Sequence, residues 1–148
     1  MLVRSDRRHR FDVGSAELWA ALRETSRYAS WWPWLRSFEA NDLVVGDVWR
    51  CTIQPPLPYS LRLTIRIDEV VEGELVRATV GGDIVGSARV EICARGEGSE
   101  ARLVSELAPA NRMLRTVARM ARPVVRFGHD WVLDTGARQF RAHALPPR

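Results

Sequence analysis

One stretch limits this chain's options more than any other. In "SLRLTIRID", Leu61, Leu63, Ile65 and Ile67 alternate with Arg62, Thr64, Arg66 and Asp68. A repeat of two puts the aliphatic side chains on one face of an extended strand and the polar ones on the other, as in an antiparallel sheet with one wet face. The period holds from Val44 to Leu107: "DVWRCTI" precedes it, and "LVRATV", "IVGSARVEIC" and "ARLVSELA" follow. Between these runs lie the breakers "QPPLP", "VEGE", "GGD" and "RGEGSE". With the N-terminal run "HRFDV", whose Phe11 and Val13 share a face, they predict a curved antiparallel meander of six or seven strands.

Helical spacing flanks the sheet. After the first strand, Ser15 is placed to cap a helix, Glu17 suits its positive end, and Leu18, Trp19 and Leu22 form its apolar face. A second short helix starts near Ser26 and ends by Trp32, because Pro33 disfavours helix in the residue before it. At the other end, Val125, Gly128, His129, Val132, Gly136 and Phe140 fall in a stripe about 100° wide, opposite Asp130, Asp134, Arg138 and Arg141. Met113, Val117 and Met120 form a row in another phase, so a kink is expected at Arg122 and Pro123. The order is strand, two short helices, a long sheet and a final helix, an α+β arrangement.

A chain of 148 residues suits one domain, taken here as 1–148 with an ordered core from about 9 to 143. The first residues carry charges with no apolar run behind them, and no stretch approaches a membrane span, so a cytoplasmic protein is expected. Cys51 and Cys93 stand apart, without a neighbouring cysteine or histidine at ligand spacing; neither a disulfide nor a metal is expected. All 22 basic residues other than histidine are arginine, and the net charge of +4 is too small to require a polyanion.

Three of the six tryptophans crowd into "YASWWPWLRSFE" at residues 28–39. Stacking on nucleic acid needs aromatics interleaved with basic side chains on an exposed sheet. Only Arg27 and Arg36 flank this segment, so no nucleic-acid partner is expected. Core packing of Trp31, Trp32 and Trp34 between short helices and sheet, and a place in the wall of a cavity, both stay open. So does a membrane-interface role.

The layout, with "WWPWLRSFE", "GDVWRCTI", "PLPYSLRLTIRIDEV", "GGDIVGSARVEI" and above all "ARPVVRFGHDWVLDTGARQF", resembles the bacterial polyketide cyclase/dehydrase and lipid-transport branch of the START-related superfamily, also called SRPBCC. The similarity runs from about Arg10 to Ala142. It implies a helix-grip fold: about seven antiparallel strands curved around a long C-terminal helix, a cavity between them, and two short helices closing one end. It also implies a hydrophobic small-molecule ligand, lipid-like or polyketide-like, held without a cofactor. Chemistry varies across that superfamily, so a carrier or sensor and a cyclase/dehydrase-type enzyme are both carried forward.

On that fold the wall candidates are Phe11, Trp31, Trp32, Trp49, Leu63 and Ile65, then Val90, Leu103, Ser105, Leu107, His129 and Val132. Val90, Ser105 and Leu107 stand where the resemblance leads one to expect aromatics, which would enlarge the space. His129 lies mid-stripe. It is either a buried histidine bonded to a strand or the group that orients a ligand or moves a proton. Asp130 projects about 100° away on the helix, so spacing alone does not establish a dyad. No nucleophile elbow, H-E-x-x-H or phosphate loop is present, and catalytic residues stay unassigned. Finally, Arg112, Arg115, Arg119, Arg122 and Arg126 recur at helical spacing. They form either a solvated face or a surface for transient contact with an anionic membrane or acidic partner.

Overall fold

The computed structural model describes residues 2–57 and 59–145. Strand β1 (Val3–Phe11) leads into helix α1 (Ser15–Leu22), then a 3-10 turn at Thr25–Arg27 that runs on into α2 (Tyr28–Trp31). Six strands follow: β2 (Leu35–Glu39), β3 (Val48–Ile53), β4 (Leu61–Val71), β5 (Leu75–Gly82), β6 (Ile84–Arg95) and β7 (Gly98–Pro109). Helices α3 (Arg112–Met120) and α4 (Arg122–His143) close the chain.

The seven strands form one antiparallel sheet in the order β1-β7-β6-β5-β4-β3-β2, with β1 and β2 at its edges. Register links the inner face across the sheet: Trp49 lies opposite Ile65, Ile65 opposite Val80, Ala78 opposite Ala88, Val90 opposite Leu103, and Leu103 opposite Arg7. The sheet needs local irregularities to curve. Register shifts occur in β2 between Arg36 and Glu39, where Ser37 takes φ 50°, and in β4 between Ile67 and Glu69. At Gly86 (φ 153°) the strands approach so closely that a Cβ would sit 1.9 Å from the Glu106 carbonyl oxygen. The convex face carries cross-strand ion pairs such as Arg102–Asp6, Arg77–Glu69 and Arg4–Glu106. Such exposed pairs contribute about 0–1 kcal/mol each and mainly keep that face solvated.

Several expectations are refined. β1 begins at Val3, well before the "HRFDV" run, and β2 adds a strand that the tryptophan segment conceals. Ser15 is the first residue of α1 and caps nothing: Gly14 holds the cap position without a side-chain bond. Asn111 does cap α3, its Oδ1 accepting from the Leu114 amide at 2.6 Å. The kink falls at Ala121 (φ −141°, ψ 59°), just before Arg122 and Pro123, since the proline ring clashes with a continuing helix. Leu114 and Ala118 form the buried face of α3, while Met113 and Met120 face solvent.

Candidate functional site

The concave face of the sheet, α4 and the short helices enclose two adjoining cavities of about 320 and 220 Å³. Ile65, Ala88, Leu103, Val132 and Leu133 border both and make the partition between them. The first chamber runs toward the tryptophan segment, bounded there by Tyr28, Trp32, Trp34, Trp49 and Phe140. The second lies toward the α3–α4 junction, bounded by Tyr59, Ser105, Leu114, Val125 and His129. Alternation along the strands explains the apolar lining: every second residue of β4, β6 and β7 points inward, and these positions are aliphatic or small.

Of the expected wall residues, Phe11, Trp32, Trp49 and Val90 border the first chamber, and Leu63, Ser105, Leu107 and His129 the second. Ile65, Leu103 and Val132 touch both. Trp31 borders neither. It is 2% exposed and packs edge-on against Phe140 and Trp32, so it is core filling. Trp34, left open between core and wall, borders the first chamber; Tyr59 of the quoted "PLPYSLRL" block borders the second, and Leu133 and His9 are wall residues that the spacing does not single out. His9 escaped because charges interrupt the apolar pattern of β1. Arg89 reaches the first chamber's wall, but its guanidinium pairs with Glu91 at 3.1 Å on the convex side.

Three polar atoms in this setting are buried without a hydrogen-bond partner among the described residues: His9 Nε2 in the first chamber, and Ser105 Oγ and His129 Nε2 in the second. Groups of this kind are rare in native interiors, and each asks for a reason. The Nδ1 atom of His129 lies 3.2 Å from Asp130 Oδ1, a contact that helix spacing left open. Separation around the helix axis did not keep two short side chains from turning toward each other. Burial pushes the Asp130 carboxyl up, but its bond to His129 and the charges of Arg7 and Arg126 outweigh this and hold it below the usual carboxylate range. His129 in turn is held below the usual imidazole range by burial, against the upward pull of Asp130. Arg7 projects inward from β1 and bridges Asp130 at 2.8 Å and Asp134 at 2.6 Å.

Burial pushes the Cys51 thiol up to about 11, so it is no nucleophile at neutral pH. The five arginines are exposed and lie on two helices divided at Ala121, with Arg115, Arg119 and Arg122 bordering one surface depression across the break. Arg126 pairs with Asp130 at 3.7 Å. Met113, Met120 and Phe127 lie exposed on the same pair of helices, Met120 at 82%. No helix is long and apolar enough to cross a membrane among the described residues.

Seven antiparallel strands in this order, curved around a long C-terminal helix with short helices after the first strand, decide the architecture. The chain has the helix-grip fold. No family model matches it, and no curated protein matches it significantly in sequence. Solved structures do. Ara h 8.0201 superposes with a TM-score of 0.68 at 14% identity, covering 97% of this chain and 98% of that one. Norcoclaurine synthase from Thalictrum flavum, in complex with dopamine and hydroxybenzaldehyde, gives 0.65 at 12%, covering 99% and 90%. The di-domain aromatase/cyclase BexL of the BE-7585A biosynthetic pathway gives 0.72 at 12%, covering 99% of this chain and 51% of that one. These helix-grip neighbours are Bet v1-like, SRPBCC proteins.

Proposed function

We propose that this protein binds a hydrophobic small molecule, lipid-like or polyketide-like, in the paired chambers between sheet and α4, as a carrier or sensor. The supporting observation is the chambers themselves. Packed interiors leave few voids larger than a water molecule, yet the first chamber alone, at about 320 Å³, falls in the roughly 300–1,000 Å³ range of small-molecule sites. Burying about 200 Å² of apolar ligand surface contributes on the order of 5 kcal/mol before the cost of association. Aliphatic and aromatic walls such as Phe11, Trp49, Val90 and Leu107 would supply that term, leaving the few polar atoms to set orientation. A norcoclaurine synthase of the same fold is solved in complex with dopamine and hydroxybenzaldehyde, which supports a small-molecule reading.

Native mass spectrometry after incubation with a lipid and metabolite extract tests the proposal. A defined bound mass, released on denaturation, is the expected result. A clean unliganded spectrum across several extracts overturns it. Within the carrier reading, the arginines of α3 with exposed Met113 and Met120 beside them supply a face for transient contact with an anionic membrane.

One observation favours a second reading, a cyclase/dehydrase-type enzyme: His129, a residue of the second chamber's lining, contacts Asp130 through one nitrogen and keeps the other buried and unpaired. That is the arrangement of a general base. His129→Ala separates the two readings, since a catalyst loses turnover while keeping its ligand, and a carrier has no turnover to lose.

A further inference from the structure

We infer that the second chamber is built to receive a hydroxyl group: the bound molecule presents an alcohol or phenol O–H to His129 Nε2, takes Ser105 Oγ as its second partner, and lays its apolar body past Leu103 and Val132 into the first chamber. This rests on the ligand-binding reading and names the ligand's chemistry.

The polarity of the site follows from one proton. Asp130 is an ionised carboxylate held by Arg7 and Arg126, so it can only accept hydrogen bonds. Its oxygen lies 3.2 Å from His129 Nδ1, and two lone pairs would repel there, so Nδ1 carries the hydrogen. Burial keeps the ring neutral, which leaves Nε2 with a lone pair and no proton. This bare acceptor is buried and has no partner among the described residues, on a side chain that belongs to the second chamber's lining. Whatever pairs with it must bring a hydrogen.

The rest of the lining narrows the choice. Ser105 Oγ, also unpaired and buried on the same chamber, both donates and accepts, as a hydroxyl does in return. Among the described residues no arginine borders this chamber, so a carboxylate or phosphate would meet a lone pair without a compensating cation. An ammonium would enter a chamber with no carboxylate on its lining. Ethers and ketones offer Nε2 no hydrogen. A neutral hydroxyl meets both polar atoms and adds no charge.

Matched probes test this: para-nonylphenol, its methyl ether and para-nonylbenzoate, with affinities read by calorimetry. In a purely apolar cavity the ether binds tighter, because the phenol must shed its water without return. The expected order is reversed, the phenol binding about tenfold tighter than the ether, and the benzoate weakest. His129→Leu should bring phenol and ether to parity while the ether's own affinity holds. Ser105→Ala, a smaller change that keeps the fold safe, should shrink the ratio part of the way. Equal or inverted affinities in the native chain, or a preference that survives both variants, overturn the hydroxyl site and leave cavity binding standing. Binding of none of the three probes overturns both.

Discussion

Trp32 donates its indole N–H to the carbonyl oxygen of Gly136 at 2.9 Å. That bond joins the turn after α2 to the middle of α4, and it depends on a helix residue without a side chain. A Cβ on Gly136 would lie 3.3 Å from a ring carbon of Trp34, and Trp34 itself donates to Gln139 Oε1 at 2.8 Å. The crowded tryptophan segment is thus a clasp between the β2 side of the sheet and the final helix. Trp32→Phe keeps an aromatic ring and removes the donor. It should cost about 1 kcal/mol in urea denaturation; an unchanged midpoint would show the bond to be incidental.

Gly86 holds a backbone that only glycine tolerates, with the Glu106 carbonyl where a side chain would begin. Gly86→Ala must therefore separate β6 from β7 or twist the strand. The expected loss is roughly 3 kcal/mol. Gly73→Ala, at a turn where nothing stands within 4 Å, serves as the comparison for the backbone strain alone. Similar losses for the two would mean the close approach contributes nothing.

Mild acid should weaken the fold through two partly buried histidines. His9 is held below 6.5 by burial, with Asp134 pulling it up and Arg141 and Arg7 pushing it further down. His129 is likewise held below 6.5 by burial, opposed by Asp130 and assisted by Arg126 and Arg7. A histidine lowered in the folded state binds more protons when unfolded, so its contribution is complete above 6.5 and declines as pH falls beneath that value. Urea midpoints should drop between about pH 7 and about pH 5.5, and the drop should shrink in a His9→Gln, His129→Gln double variant. A native midpoint that stays level over this range would sink the argument.

Arg7 is a positioning residue. Its guanidinium holds Asp130 and Asp134 and depresses the nearby imidazoles. In Arg7→Leu, the His129 ring should titrate at higher pH, read from its proton resonances by NMR. A role limited to packing would alter stability and leave that titration where it was.

The sheet and the kinked C-terminal helices were legible because their side chains repeat with the period of the backbone that carries them. Leu61, Leu63, Ile65 and Ile67 all turn to the inner face, and the predicted stripe on α4 from Val125 to Phe140 is the face turned to the chambers. β1 was only partly legible. Its inward positions include Ser5, Arg7 and His9, polar residues whose place is justified by partners or a chamber more than a hundred residues away in sequence. The His129–Asp130 contact was not legible for a related reason, since helix angles locate Cα–Cβ vectors and not the ends of side chains.

The final helix is fastened at both margins of an open sheet by bonds of opposite character. On the β1 margin the fastening is ionic and partly wet, through Arg7 to Asp130 and Asp134. On the β2 margin it is made by indole donors set among stacked rings, through Trp32 and Trp34. Dissolved ions screen the first and hardly touch the second. Ionic strength therefore grades the two margins unequally: concentrated salt weakens the Arg7 bridges, while the tryptophan fastening and the Phe11–Phe140 contact keep the helix seated.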